Sequence, residues 1–238
     1  MSFPAEPGEI VATPDPELDR RARKRVFDTF RARAVPPMLE DLMAYFRLSR
    51  SDSFEVLRRL EAARHLKLVP GTQRILMAFP FSAIATPFRV HAGGMSYFAN
   101  CAWDAVAFHA TLGQPVRIES HCHHCASALR IEVAGGRIRQ SNVPEPLVYI
   151  ALPAARWWED IVSTCSNHMV FFESPAHLAD WRRAGSATDG VALSVEETHH
   201  VGLPIYRAKT DLDYARPSKD ELIAHFASLG LTSDFWKL

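Results

Sequence analysis

The apolar positions of this chain change their period about a third of the way along. From Asp15 or Pro16 to Arg33, Leu18, Ala22, Val26 and Phe30 recur at helical spacing, and the intervening Arg20, Arg21, Arg23, Lys24 and Arg25 are read as a solvated face. After the Pro36-Pro37 break, Met38, Leu39, Leu42, Met43 and Phe46 predict a second helix. A third follows, capped by Ser51 or Asp52, with Phe54, Val56, Leu57, Leu60 and Ala63 turned inward. It ends before Lys67-Leu68-Val69 and the Pro70-Gly71 turn, beyond which Gln73 to Phe81 reads as a strand. Three helices, a short strand, a Pro-Gly turn and another strand outline a winged helix-turn-helix.

From about Phe88 alternation by two takes over. Pro115 to Ser120 and Leu129 to Val133 predict strands, with a hairpin turn at Gly135-Gly136, and Leu147 to Leu152 predicts a short buried strand. A helix from Cys101 to about Leu112, stopped by Gly113, precedes them. Later, Trp157-Trp158-Glu159-Asp160 suggests a helix entering Cys165, His168 to Phe172 a strand, and Ala176 to Arg183 a helix. The mixture predicts an α+β protein. A loose, proline-bearing arm over 1–15 leads into a winged-helix-like helical domain over 16–85, packed on a mixed sheet and helix core over 86–238. No internal repeat is present.

Composition narrows the function classes. With 238 residues, 47% of them apolar, the chain can bury a sizeable core. Lys plus Arg and Asp plus Glu both number 27, so no net positive charge draws it to nucleic acid or an anionic membrane. Only Arg50, Arg58, Arg59 and Arg64, near the third helix, speak for DNA. No apolar run approaches the roughly 18 residues of a membrane helix, and the acidic, proline-rich start is unlike a leader, so a cytoplasmic protein without a membrane partner is expected. Four cysteines, at 101, 122, 125 and 165, are too few for a disulfide framework, which leaves thiols or metal ligands.

Thiol chemistry concentrates in Tyr97-Phe-Ala-Asn-Cys-Ala-Trp-Asp-Ala-Val-Ala-Phe108. Asn100 is a suitable N-cap, which puts Cys101 at the first helical position and Asp104 three residues on, along one face. The helix N-terminus lowers a thiol pKa and a neighbouring carboxylate opposes this, so the pair tends to hold one shared proton. A soft-metal ligand beside a proton donor suits a reaction that binds a soft metal and protonates the group leaving it. The alternative for this pair alone is a small buried Cys101 and a salt-bridging Asp104.

The order and spacing of several segments add to this: Ala78-Phe-Pro-Phe-Ser-Ala-Ile-Ala-Thr-Pro-Phe-Arg-Val90, Cys101-Ala-Trp-Asp104, Ser120-His-Cys122, then Cys165 followed by Phe171-Phe-Glu-Ser174 and Trp181. Over about residues 38 to 195 the chain resembles the organomercurial (alkylmercury) lyase family. The resemblance implies a winged-helix-like N-terminal domain on an α+β core particular to that family. It also implies protonolysis of a carbon–mercury bond to a hydrocarbon and Hg(II), an activity of mercury resistance. Cys101 and Asp104 match the family's first catalytic cysteine and its catalytic aspartate, and Cys165 falls near the second cysteine. Counting back from Phe171-Phe172, Ser166 takes the matched column and Cys165 lies one residue earlier, a displacement that a local bulge would absorb. The resemblance implies no required cofactor, Hg(II) as product on Cys101 and Cys165, a small organomercurial substrate, and small thiols or a partner protein's thiol to remove the metal. Two alternatives are a homologue without this activity that sequesters or senses a soft metal, and one acting on a non-mercurial substrate.

A second cluster, His121-Cys122-His123-His124-Cys125, contains a CxxC between two strands, a common half of a zinc site. His199-His200 are distant candidates for the other half. Cys122 as a buried packing thiol, Cys122 and Cys125 as an accessory zinc or copper site, and the pair as a mercury-relay dithiol are the three readings. His168, His199 and His200 otherwise read as ordinary polar residues. Phe79, Phe81, Phe88, Trp157 and Trp158 read as core or pocket wall, and Tyr97 and Trp103 flank the Cys101 site.

Overall fold

The first helix starts where the sequence supplies a cap. In the computed structural model, which describes residues 15–186 and 189–238, Asp15 accepts hydrogen bonds from the Glu17 and Leu18 amides and Pro16 opens α1 (Pro16–Arg33). The arm expected over residues 1–15 lies, apart from Asp15, outside the described residues. α2 (Leu39–Phe46) and α3 (Arg50–Ala62) follow; the cap of α3 is Ser49, not Ser51 or Asp52, its Oγ accepting from the Asp52 amide at 3.1 Å. β1 (Lys67–Leu68), β2 (Ile75–Ala78) and β3 (Phe81–Ser82) form an antiparallel sheet in that order. The single strand expected over 73–81 thus divides at Phe79-Pro80, because proline has no N–H to continue the ladder.

β4 (Arg89–Ala92) and β5 (Met95–Phe98) lead into α4 (Ala102–Leu112), and β6 (Val116–His121), β7 (Ala128–Ala134) and β8 (Arg137–Ser141) complete a five-stranded antiparallel sheet of order β5-β4-β6-β7-β8. Strict alternation in β6 and β7 buries Val116, Ile118, Leu129, Ile131 and Val133 on one face. Against that face lies α4, whose residues 102–108 are all buried, Asp104 being the one charged side chain among them.

The second antiparallel sheet, of order β10-β9-β11, combines β9 (Leu147–Ile150), β10 (Met169–Phe172) and β11 (Val191–Ser194). α5 (Ile161–His168) runs directly into β10. Trp157 and Trp158 stand before this helix, because Asp160 caps it by accepting from the Ser163 amide at 3.0 Å. α6 (Pro175–Trp181), α7 (Val195–Tyr206) and α8 (Lys219–Ser228) complete the chain's α-helices among the described residues. α7 crosses α4 closely: a Cβ on Gly202 would stand 2.7 Å from Trp103 Nε1, so this position must lack one.

The α+β class expected from the sequence is therefore what is found. Its hydrophobic core is continuous from Ala22 to Trp236. Phe81 joins the two ends of that core, stacking on Phe30 and meeting Phe27, Tyr97 and Phe108 edge-on. Arg23 of α1, almost wholly buried, donates to the carbonyls of Lys209, Asp211 and Leu212 in the segment after α7. This fork satisfies three carbonyls at once and ties α1 to that segment.

Candidate active site

The site is built at the start of α4. Cys101, not Asn100, is the N-cap: its backbone is extended (φ −154°, ψ 179°) and its Sγ accepts from the Asp104 amide at 3.3 Å. Asn100 is withdrawn into the core, where Nδ2 donates to the carbonyls of Pro80 (3.1 Å) and Phe81 (3.3 Å) and to Asp104 Oδ2 (3.0 Å). A buried amide needs partners, and these three acceptors hold it away from the helix terminus.

Cys165 arrives from α5. Successive helical residues turn by about 100°, so α5 directs Cys165 inward, where it is 3% exposed, and leaves Ser166 exposed. No bulge is needed: the Sγ atoms of Cys101 and Cys165 and a carboxylate oxygen of Asp104 all lie within 4.8 Å of one another. Both cysteines are free thiols, and Met169 Sδ is 3.8 Å from Cys101 Sγ.

Two residues that the sequence reading passed over complete the site. Tyr206, at the end of α7, donates its hydroxyl to Asp104 Oδ1 at 2.6 Å. Lys209 is fully buried, and its Nζ has no hydrogen-bond partner among the described residues. That ammonium sits 5.0 Å from the Tyr206 ring centroid and 5.7 Å from that of Phe79. Neither residue lies in a local motif, so only the fold brings them to Asp104. A cavity of about 50 Å³ opens on these groups, walled by Phe79, Trp103, Trp157, Trp158 and Ile161. Phe79 and the tryptophan pair thus line a pocket, whereas Phe81 and Phe88 belong to the core.

Burial governs the protons. It pushes the Cys101 thiol well above its usual range, helped by the hydrogen bond with Cys165 and by the Asp104 charge, and the Asp104 amide opposes this only weakly. Of the two opposing influences expected on this thiol, the helix terminus acts through the Asp104 amide alone, and desolvation with the neighbouring carboxylate outweighs it. For Cys165 the hydrogen bond with Cys101 pulls downward, but burial and the Asp104 charge together leave the thiol above its ordinary value. Asp104 is also raised by burial, against hydrogen bonds from Tyr206 and Asn100 and the positive charge of Lys209. The ammonium of Lys209 is itself held well below the usual lysine range by desolvation.

Cys122 and Cys125 lie elsewhere, in the turn between β6 and β7. His199 and His200 do not join them. The His199 ring packs 5.5 Å from that of His109 and against Gly136, while His200 is exposed on α7. His168 closes α5 and takes no part in the thiol site.

The profile of the alkylmercury lyase family matches residues 81–207. The chain belongs to the alkylmercury lyase family. The resemblance carried by Cys101-Ala-Trp-Asp104 and its flanking segments is thereby borne out. The alkylmercury lyase of Staphylococcus epidermidis is 27% identical over 127 residues, which cover 53% of this chain and 57% of that one. The alkylmercury lyase of Bacillus cereus is 31% identical over 119 residues, covering 50% and 53%. The chain thus spans about half the length of these curated relatives. The crystal structure of the mercury-bound form of MerB2 shares the fold, with a TM-score of 0.62 at 18% identity over 77% of this chain and 87% of that one. The segment matched to the alkylmercury lyase family runs from β3 to just past α7, so it contains Cys101, Asp104, Cys165 and Tyr206 but neither Lys209 nor α1.

Proposed function

We propose that this chain is an organomercurial lyase that cleaves carbon–mercury bonds by protonolysis, with Cys101 and Cys165 as mercury ligands and Asp104 as the proton carrier. The convergence of two buried sulfurs and one carboxylate within 4.8 Å carries this reading. Mercury(II) is soft and prefers thiolate to oxygen or nitrogen, and two thiolates donate enough electron density to weaken its bond to carbon. Phe79, Trp103 and Trp157 give the organic group an apolar wall.

Burial keeps both thiols protonated before substrate arrives, so binding must move two protons. One leaves with the anion that the organomercurial brings when Cys101 sulfur replaces it on mercury. The other passes from Cys165 to Asp104, whose oxygens each already accept a hydrogen bond that favours the carboxylate against burial. The carbon–mercury bond then breaks as Asp104 returns this proton to carbon, which leaves as the hydrocarbon. Hg(II) remains on two thiolates and Asp104 is again a carboxylate. Small thiols, or a partner protein's thiol, remove the Hg(II), which suits a reducing cytoplasm. No helix of the described residues is long and apolar enough to cross a membrane.

The test is incubation of the full chain with phenylmercury or methylmercury and excess thiol, with benzene or methane measured in the headspace. Hydrocarbon release by the native chain, lost in Cys101→Ser and in Asp104→Asn, is the expected result. Stoichiometric mercury binding with no hydrocarbon from the reduced native chain would overturn the assignment in favour of sequestration.

A further inference from the structure

The CxxC turn acquires two further ligands from another part of the chain. Ligand atoms of Cys122, Cys125, Glu173 and His177 all lie within 4.8 Å of one another. Cys122 and Cys125 come from the β6–β7 turn, Glu173 directly follows β10, and His177 stands one helical turn later in α6. We propose that these four side chains form a structural zinc site, separate from the mercury chemistry.

Geometry and donor chemistry both support this. Zinc–sulfur bonds of about 2.3 Å place two tetrahedral ligands roughly 3.5–3.8 Å apart. Cys122 Sγ is 3.6 Å from His177 Nδ1, and Cys125 Sγ is 3.8 Å from Glu173 Oε2. Two thiolates, an imidazole and a carboxylate form a borderline set that suits zinc, whereas copper(I) favours softer, sulfur-rich sets. The turn is shaped for two sulfurs on one side: Ala126 donates its amide to the Cys122 carbonyl at 2.9 Å and adopts a left-handed conformation (φ 59°) that non-glycine residues seldom take. Ser127 donates its hydroxyl to Glu173, which fixes the carboxylate, as groups around a metal's ligands commonly do. His123 instead packs on Phe172 and Trp181, so only the two cysteines of the five-residue run take part.

The placement gives the ion a task. β10 carries Met169, beside Cys101, at one end and Glu173 just beyond the other, four residues or about 13 Å away. Zinc there would pin the end of β10 and the start of α6 to the β6–β7 turn, on which the His123 amide already meets the Phe171 carbonyl at 2.8 Å.

The experiment uses the full chain, freed of any affinity tag, in the Cys101→Ser/Cys165→Ser background so that no mercury-site thiol contributes. Zinc is measured by mass spectrometry, and cobalt(II) serves as the spectroscopic probe. Expected are about one zinc per chain and, with cobalt, thiolate charge-transfer and tetrahedral ligand-field bands. Adding Cys125→Ser or His177→Gln should weaken zinc binding by about a hundredfold or more. Cys125 is exposed, so its serine variant should fold as the parent does, which circular dichroism checks. Retention of no zinc by the parent, or zinc affinity unchanged in both further variants, would overturn the proposal. Neither result bears on hydrocarbon release, so this site and the lyase reading fail separately.

Discussion

Tyr206 and Asp104, 102 positions apart in sequence, share a 2.6 Å hydrogen bond in which the phenol donates to Oδ1. The carboxylate is buried, and this bond is the largest influence holding its pKa down against desolvation. Tyr206→Phe therefore raises the Asp104 pKa further. Because Asp104 must be ionised to accept a thiol proton, the acidic limb of the activity profile should move to higher pH, with turnover at neutral pH lowered about 10- to 100-fold. Hydrocarbon release measured from pH 5 to 9 checks both effects, and an unshifted limb would count against Asp104 as proton carrier.

In the proposed reaction Cys165, which turns inward, supplies the second sulfur, and Ser166, which turns outward, does not. Cys165→Ser should lower turnover by at least about a hundredfold while leaving Cys101 able to bind the organomercurial. Adding Ser166→Cys, which restores a thiol at the column matched in sequence, should not recover activity, because that side chain faces solvent. Recovery in the double variant would show that α5 rotates during the reaction.

Lys209 is a buried amine whose Nζ has no hydrogen-bonded partner among the described residues; it faces aromatic rings and feels the Asp104 carboxyl. Replacing it by methionine removes a desolvated, unpaired amine and keeps the volume, so Lys209→Met should be neutral or stabilising by roughly 1 kcal/mol or more in denaturant titration. The same change removes the positive charge that helps ionise Asp104 and should slow the reaction. A variant more stable yet less active separates a functional lysine from a structural one.

His65 gives a pH dependence of stability. Burial, with the positive charges of Lys209, Arg23 and Arg216, lowers its pKa from 6.5 to about 3. Folding thus favours the neutral ring, whereas the unfolded chain takes up a proton below about pH 6.5. The stability this ring contributes is present above pH 6.5 and is lost as pH falls toward 3, at up to about 1.4 kcal/mol per pH unit. His65→Gln should flatten the fall between pH 6 and 4 by nearly one proton in urea titrations.

Much of this was legible in the sequence because local physics decides it. The spacing of Leu18, Val26 and Phe30, the alternation in β6 and β7, and Gly113 at the end of α4 each specify their element without help from afar. Cys101 and Asp104 are three residues apart on one helix, so their proximity is local too. What escaped is what tertiary packing decides. Asn100 yields the cap to Cys101 only because Pro80 and Phe81 offer buried carbonyls. The direction of the thiol pKa depends on how deeply α4 is covered. Glu173 and His177 are invisible as ligands until β10 comes to lie beside the β6–β7 turn.

The fork of Arg23 onto the carbonyls of Lys209, Asp211 and Leu212 has a consequence for anyone trimming this protein. Excising α1 would strip those three acceptors of their donor and uncover the strap that carries the buried ammonium toward Asp104. A fragment cut to residues 81–207, the stretch recognisable by descent, would keep both sulfurs and the acid yet lose the scaffold that seals them from water. The ancestral signature is therefore shorter than the stretch that packs around the two thiols.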